Sequence, residues 1–402
     1  MSRTGVMTTV VLLLRFATHL YFAHRIQPLV RAPWGRRISV GVMGLVALLP
    51  LMEWAVSVWL PSWGSIGSLV IQFEGALFLI GCIMHALWRV VMSLPQTTRA
   101  RIEDAQSHQA HEARGQEPSE PEASTLTRRE ATTALALAGT YGAPGILLGY
   151  GTVVGRLDYR IEELIVPMVG LPKELEGYTL CQISDVHTGP LVGPRELARG
   201  FELLKRVRPD LIVVTGDVVD HDARYADMFA RMLTDCPARD GHVAIMGNHD
   251  HYAGVEEVRT RLRNGGVRVL HNQHWVVQAE AQGGLALVGL DDPMGGHGGG
   301  GPDAARALMG LAPDVPRVML QHRPDLFDAL SLHAPLQLSG HTHGGQVSFG
   351  VFNPASMLFK YVRGKYQRGT STLYVNRGFG VVGVPARLDS PPEITKIVLV
   401  SA

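Results

Sequence analysis

The chain has 402 residues, 46% of them hydrophobic, and 37 Lys and Arg against 36 Asp and Glu give a formal charge of +1. That length exceeds one ordinary domain and supplies a large core, while the near-zero charge excludes a general nucleic-acid surface. The three cysteines, Cys82, Cys181 and Cys236, lack zinc-ligand spacing and form no disulfide framework, which leaves them as small buried apolar residues.

Residues 1–94 read as a transmembrane region of about three helices, at 6–22, 38–60 and 66–92. The first is the weakest, because it carries Arg15 and His19. Glu53 and Glu74 lie inside the second and third spans, where pairing with Arg15 or interfacial water explains them better than an ion pathway. Arginines fix the orientation. Arg25, Arg31, Arg36 and Arg37 precede the second span, Arg99, Arg101, Arg114, Arg128 and Arg129 follow the third, and the link "PSWGS" has no basic residue. The positive-inside rule puts both Arg-bearing segments in the cytoplasm.

Residues 95–129 are polar, free of aromatic residues, and read as a disordered linker. Residues 130–155 read as a fourth membrane helix. Its start, "TLTRREATTALALAG", has the paired arginines of a twin-arginine export signal, and equally of a plain positive flank. One more crossing takes everything after it outside. The expectation is therefore a multi-pass protein of the inner membrane with an extracytoplasmic domain over 156–402.

In that domain "TLCQIS", "LIVVTG", "HVAIMG", "LALVGL", "RVMLQH" and "LQLSGH" read as apolar strands, with amphipathic helices at 194–206 and 226–233 between them. This is an α/β pattern whose polar clusters fall at the carboxyl ends of strands. Five clusters follow in order: Asp185-Val-His187, Gly216-Asp217 with Asp220, Gly247-Asn248-His249-Asp250, Gln321-His322, and Gly340-His341-Thr342-His343. If the last strand continues through the final pair, His341 and His343 point the same way, as i and i+2 do in extended backbone. Gly344 and Gly345 then turn the chain without filling the space before the imidazoles.

With these five clusters the sequence resembles the calcineurin-like metallophosphoesterases. The pattern D-x-H, G-D-x-x-D, G-N-H-[DE], H and G-H-x-H is matched without a substitution, and the likeness runs from about Leu171 to the C-terminus. The tail "YVNRGFGVVGVPARLDSPPEITKIVLV" and the "GHTHGGQ" ending look like the membrane-anchored bacterial branch of that family. The resemblance implies a four-layer αββα sandwich of two mixed β-sheets, here preceded by an α-helical transmembrane region.

It also implies two divalent metal ions, one on Asp185, His187, Asp217 and His343, the other on Asp217, Asn248, His322 and His341. Mixed nitrogen and oxygen donors suit Mn, Fe, Zn or Co, manganese among them, better than Ca. The implied chemistry is in-line attack of a metal-bridging hydroxide on a phosphate mono- or diester. His249 would face the phosphate and protonate the leaving oxygen, with Asp220 hydrogen-bonded to it. Asp250 reads as a turn residue. His221, His251, His271, His274 and His333 read as surface or supporting residues, and His297 as part of a glycine-rich flap over "MGGHGGGGPD".

The expected partners are a phosphate-ester substrate, lipid-linked or from the cell envelope, and the bilayer, with no nucleic acid and no obligate protein partner. Were the fourth segment not to cross, a cytoplasm-facing UDP-2,3-diacylglucosamine-type pyrophosphatase of lipid A synthesis would take its place. Amidohydrolases also use His-x-His, but on their first strand, and here the pair comes last. A non-catalytic membrane receptor would be expected to have lost a ligand or the G-N-H histidine, and none is lost.

Overall fold

A computed structural model describes residues 143–402, apart from 279–282 and 299. The three expected spans, the linker and the twin-arginine-like start lie outside the described residues. Of the 130–155 segment, the structure describes helix α1 (Ala143–Val153) and the residues after it. Among the described residues no helix is long and apolar enough to cross a membrane.

Residues Leu148–Ala402 form one compact unit around two six-stranded sheets. The first runs in the order β1 (Arg160–Met168), β12 (Glu393–Ser401), β2 (Thr179–Ile183), β3 (Leu211–Thr215), β4 (His242–Ile245), β5 (Arg268–Val269). Only the β12–β2 pair is antiparallel. The second runs β10 (Gly364–Arg368), β11 (Ser371–Val375), β9 (Leu336–Ser339), β8 (Arg317–Leu320), β7 (Leu285–Gly289), β6 (Gln273–Val277). Its outer pairs are antiparallel and its inner pairs parallel. Both sheets are mixed, as expected.

Strand β3 shows why the layers form. All five residues of "LIVVT" are buried, because both faces of the strand are covered. Leu211 and Val213 face the second sheet with Val243 and Ile245, against Leu287, Val318, Leu320 and Leu338. Ile212 and Val214 point the other way, into a core with Leu197, Phe201 and Leu204 of α2 (Pro194–Val207) and Phe229 of α3 (Tyr225–Thr234). Helix α2 begins on a proline, and its Gly193 amide donates to the Glu196 carboxylate at 3.1 Å. It buries positions four and three apart, as one helical stripe requires.

Outside the second sheet, Ala286, Val288 and Met319 pack against Ala307 of α6 (Ala304–Leu308) and Leu330 of α7 (Phe327–Leu330). The helix–sheet–sheet–helix order is met, though that last layer is built from single helical turns. Two further helices, α4 (Asn248–Tyr252) and α5 (Val255–Asn264), follow β4.

Candidate active site

The predicted donors gather where β2, β3, β4, β8 and β9 end. Asp185, Asp217, His322 and His341 each stand two residues beyond their strand, and Asn248 opens α4 three residues after β4. The backbone there is unusual. Asp185, His187, Asp217, His341 and His343 all have positive φ, between 51° and 73°. Left-handed backbone at a non-glycine residue costs about 1–3 kcal/mol and persists where surrounding structure enforces it. Five such residues at one site mark a locus where chemistry outweighs local preference.

The same angles correct the strand-based reading of "HTHGG". Strand β9 stops at Ser339, and His341 and His343 sit in left-handed turns beyond it. They do not point together. His341 Nδ1 lies 3.3 Å from His322 Nε2, whereas His343 Nε2 lies 3.0 Å from His187 Nε2 and 3.5 Å from Asp185 Oδ1. The turn splits the pair between two clusters.

Asp217 joins those clusters. Its Oδ2 is 3.6 Å from His187 Nε2 and 3.2 Å from His322 Nε2, while Oδ1 accepts the His249 amide at 2.8 Å. Asp185, His187 and His343 can share one ion, and Asp217, His322 and His341 another. The donors fit that use. His322 Nδ1 donates to the Thr215 carbonyl at 2.8 Å, which leaves Nε2 as the coordinating atom. The side-chain oxygen of Asn248 is buried with no hydrogen-bond partner among the described residues, an arrangement that wants a cation or a donor. A Cβ at Gly247 or Gly340 would collide with Asp217 or with Ser184 and Asp185, so both motif glycines let a strand end approach a ligand.

Electrostatics follow from burial. Burial lowers His341 to about 3, helped by the charges of His322 and Arg323, and it lowers His343 well below its ordinary value, helped by His187 and Arg387. Both imidazoles are neutral donors at pH 7. Burial also opposes charge on His322, but Asp217 overrides it and raises this histidine to about 10, so the carboxylate holds a positive charge on or beside the ring. Asp185 is raised by burial above all, with repulsion from Asp217 added.

His249 sits at the rim, its ring centroid 4.6 Å from that of His187 and 5.3 Å from Tyr252. Its Nδ1 donates to the backbone carbonyl of Asp220 at 3.0 Å. The Asp220 carboxylate is shared more widely than the sequence suggests. Oδ1 lies 3.3 Å from His249 Nδ1, 3.6 Å from His187 Nδ1 and 3.0 Å from His221 Nδ1. Burial lowers His249, but Asp220 and Asp217 more than offset it, and the net shift is upward. Asp250 is the turn residue expected: it accepts the Gly247, Val218 and Val219 amides and ties α4 to the Asp217 loop.

Sequence reasoning passed over one strand end. Strand β7 is followed by Asp291 and Asp292, placed like the other five clusters. Asp292 pairs with Arg323 at 3.0 Å and adds to the field on His322. Asp291 binds His251, His271 and the buried Arg259. The signal was in "LALVGLDD", a strand ending in carboxylates. Arg377 is engaged by Glu162 and Glu393. The glycine-rich segment expected to form a flap begins with a short 3-10 helix, Pro293–Gly298.

Two sheets that deliver carboxylates, imidazoles and an amide to one edge, with a single aspartate between two donor sets, define a binuclear metal hydrolase scaffold. Residues 178–345 match the calcineurin-like phosphoesterase family. The chain is 33% identical over 267 residues to a transmembrane protein with metallophosphoesterase domain from Danio rerio, covering 64% of this chain and 61% of that protein. It is 30% identical over 257 residues to an uncharacterised metallophosphoesterase of Aquifex aeolicus, covering 63% of this chain and 97% of that protein. Metallophosphoesterase YkuE of Bacillus subtilis is 32% identical over 238 residues, or 58% of this chain and 82% of that protein. The chain belongs to the calcineurin-like metallophosphoesterase family, phosphoester hydrolases with a binuclear divalent metal centre. Its relatives are animal as well as bacterial, so the likeness is broader than a bacterial branch.

Proposed function

We propose that this chain is a membrane-anchored phosphoester hydrolase that acts on lipid-linked or other cell-envelope phosphate esters outside the cytoplasm. The observation that carries the hydrolytic part is the place of Asp217 Oδ2 between His187 and His322, with His249 at the rim. Asp185, His187, Asp217 and His343 would hold one divalent ion, and Asp217, Asn248, His322 and His341 the second. Bound there, the ions would acidify a water and offset charge on the phosphoryl oxygens.

The remaining work falls to the protein. Asp220 anchors His249 through Nδ1, so the proton to be passed to the leaving oxygen is held at Nε2. The upward shift of His249 keeps more of it protonated near neutral pH. Asp250 fixes α4, and so the positions of Asn248 and His249, through three backbone amides.

The membrane part rests on the apolar segments at 38–60 and 66–92, and on the name of the Danio rerio relative. The test is hydrolysis by the purified full chain, loaded in turn with Mn, Fe, Zn or Co, of phosphomonoesters, phosphodiesters and nucleotide-sugar lipids. Metal-dependent turnover, best on a lipid-linked ester, is expected. Inactivity with every metal and every ester would reject the proposal.

A further inference from the structure

Residues 349–358 hold Phe349, Val351, Phe352, Met357 and Leu358 on the outside of the molecule, with Val351 at 107% and Leu358 at 82% exposure. Contiguous exposed apolar groups of this size mark interaction sites. These are held by a built turn rather than a loose loop. Asn353 donates to the Gly344 carbonyl and accepts the Ala355 amide, which seats the short helix Pro354–Met357 on the loop that carries His341 and His343. Phe359, next in sequence, sets its ring 5.7 Å from that of His341. The apolar patch is therefore the rim of the metal site.

Charge favours one kind of occupant. Residues 349–368 contain Lys360, Arg363, Lys365 and Arg368 and no acidic residue. Lys360 and Arg368 share the single carboxylate of Asp328, Arg363 reaches Asp389, and Lys365 is exposed. Apolar tips backed by a cationic band match the acyl boundary and headgroups of an anionic bilayer. Protein interfaces are depleted of lysine instead.

The chain's own course points the same way. Helix α1, which leads in from the segments at 38–60 and 66–92, accepts the Arg387 amide on its Gly151 carbonyl at 3.1 Å. The next residue, Leu388, donates to the Gln346 carbonyl and accepts the Ser348 amide. One short stretch of chain thus separates the entry helix from the apolar patch. The entry helix leaves Tyr150 and Val153 exposed, as is Val154 just after it.

We propose that residues 349–368 are a membrane-docking surface that lays the metal site against an anionic bilayer, Phe349 to Leu358 entering the acyl boundary and the four basic residues meeting lipid phosphates. The inference deepens the reading of this chain as a lipid-directed phosphoesterase and rests on it. A site held at that depth reaches a phosphate ester in the headgroup layer without extracting the lipid.

The test places a nitroxide at Leu358→Cys, or at Arg263→Cys on α5 as control, in full chain carrying Cys82→Ser. The chain is reconstituted in phosphatidylcholine vesicles with and without phosphatidylglycerol. Docking makes the label at 358 more accessible to oxygen than to a polar nickel chelate, the reverse of the control, and more so with the anionic lipid. An aqueous label at 358 overturns the proposal, and so does one shielded from both reagents, which means a protein covers the patch. In parallel, Met357→Asp with Leu358→Asp should slow turnover of a vesicle-borne phosphate ester at least about tenfold. Turnover of soluble p-nitrophenyl phosphate should not change, and an equal loss on both esters counts against docking. If the unaltered chain hydrolyses neither ester with any metal, the phosphoesterase reading fails. An aqueous label on a chain that hydrolyses the soluble ester removes docking alone.

Discussion

The backbone amide of His341 donates to both carboxylate oxygens of Asp185, at 2.8 and 3.0 Å, across 156 residues of sequence. The first and last motifs of the chain are thereby locked together, which fixes the positions of the donors they carry. Preorganised donors hold a metal tightly because little is spent on ordering them. What happens when one shared donor is removed follows from this geometry.

Asp217 serves both donor sets with a single oxygen, Oδ2. Asp217→Ala should lower the occupancy of both metals together, from close to two equivalents, as measured by elemental analysis of the dialysed protein. Loss of one equivalent with full retention of the other would show that the two sets are independent.

His249 commits its Nδ1 to the Asp220 carbonyl, which leaves Nε2 to carry the transferable proton. His249→Ala should keep its metals yet lose about 10²–10⁴-fold in turnover on an ester with a poor leaving group. With a nitrophenolate leaving group, which needs little protonation, the loss should shrink. Equal losses on both esters rule out proton donation by this residue.

Much of this site was legible in the sequence, and the reasons are physical. Strands covered on both faces read as unbroken apolar runs, so β2, β3, β4, β7, β8 and β9 stand out, and the polar cluster after each marks its carboxyl end. Edge strands give no such signal. Strand β1 is "RIEELIVPM", and its Glu162 and Glu163 face solvent or pair with Arg377 and Lys396. Strand β10 is "GKYQR", with mostly polar residues on an exposed edge. The division of His341 and His343 between two donor sets was hidden for another reason: it depends on left-handed backbone, which residue type alone does not announce.

Asp220 sets the charge on His249, and the sign of its removal can be worked out. Burial lowers His249, and the nearby Asp220 and Asp217 raise it above its ordinary value, so Asp220→Asn should bring it down. A general acid works in its protonated form, and a lower pKa empties that form earlier as pH rises. The alkaline limb of the kcat/KM profile should therefore move to lower pH, with the backbone carbonyl of residue 220 still holding Nδ1. An alkaline limb unchanged in Asp220→Asn would mean that a different group controls it.

On the proposed membrane-anchored reading, the side on which this chemistry would run depends on residues 130–155. Under the positive-inside rule Arg25 to Arg37 and Arg99 to Arg129 would both lie in the cytoplasm, so one further crossing would carry the domain out. Pro144 and several glycines weaken that segment as an isolated helix, yet packing against neighbouring spans tolerates both. The Arg128-Arg129 pair at its start favours a cytoplasmic beginning and an outward exit. A reporter active only outside the cytoplasm should work when fused after Gly155, and one active only inside should work when fused near Ser107. The opposite result at Gly155 would place the site in the cytoplasm, where a nucleotide-linked lipid precursor becomes the better substrate. Docking through Phe349 to Leu358 would then have to occur on the inner leaflet, whose anionic lipids suit the same four basic residues.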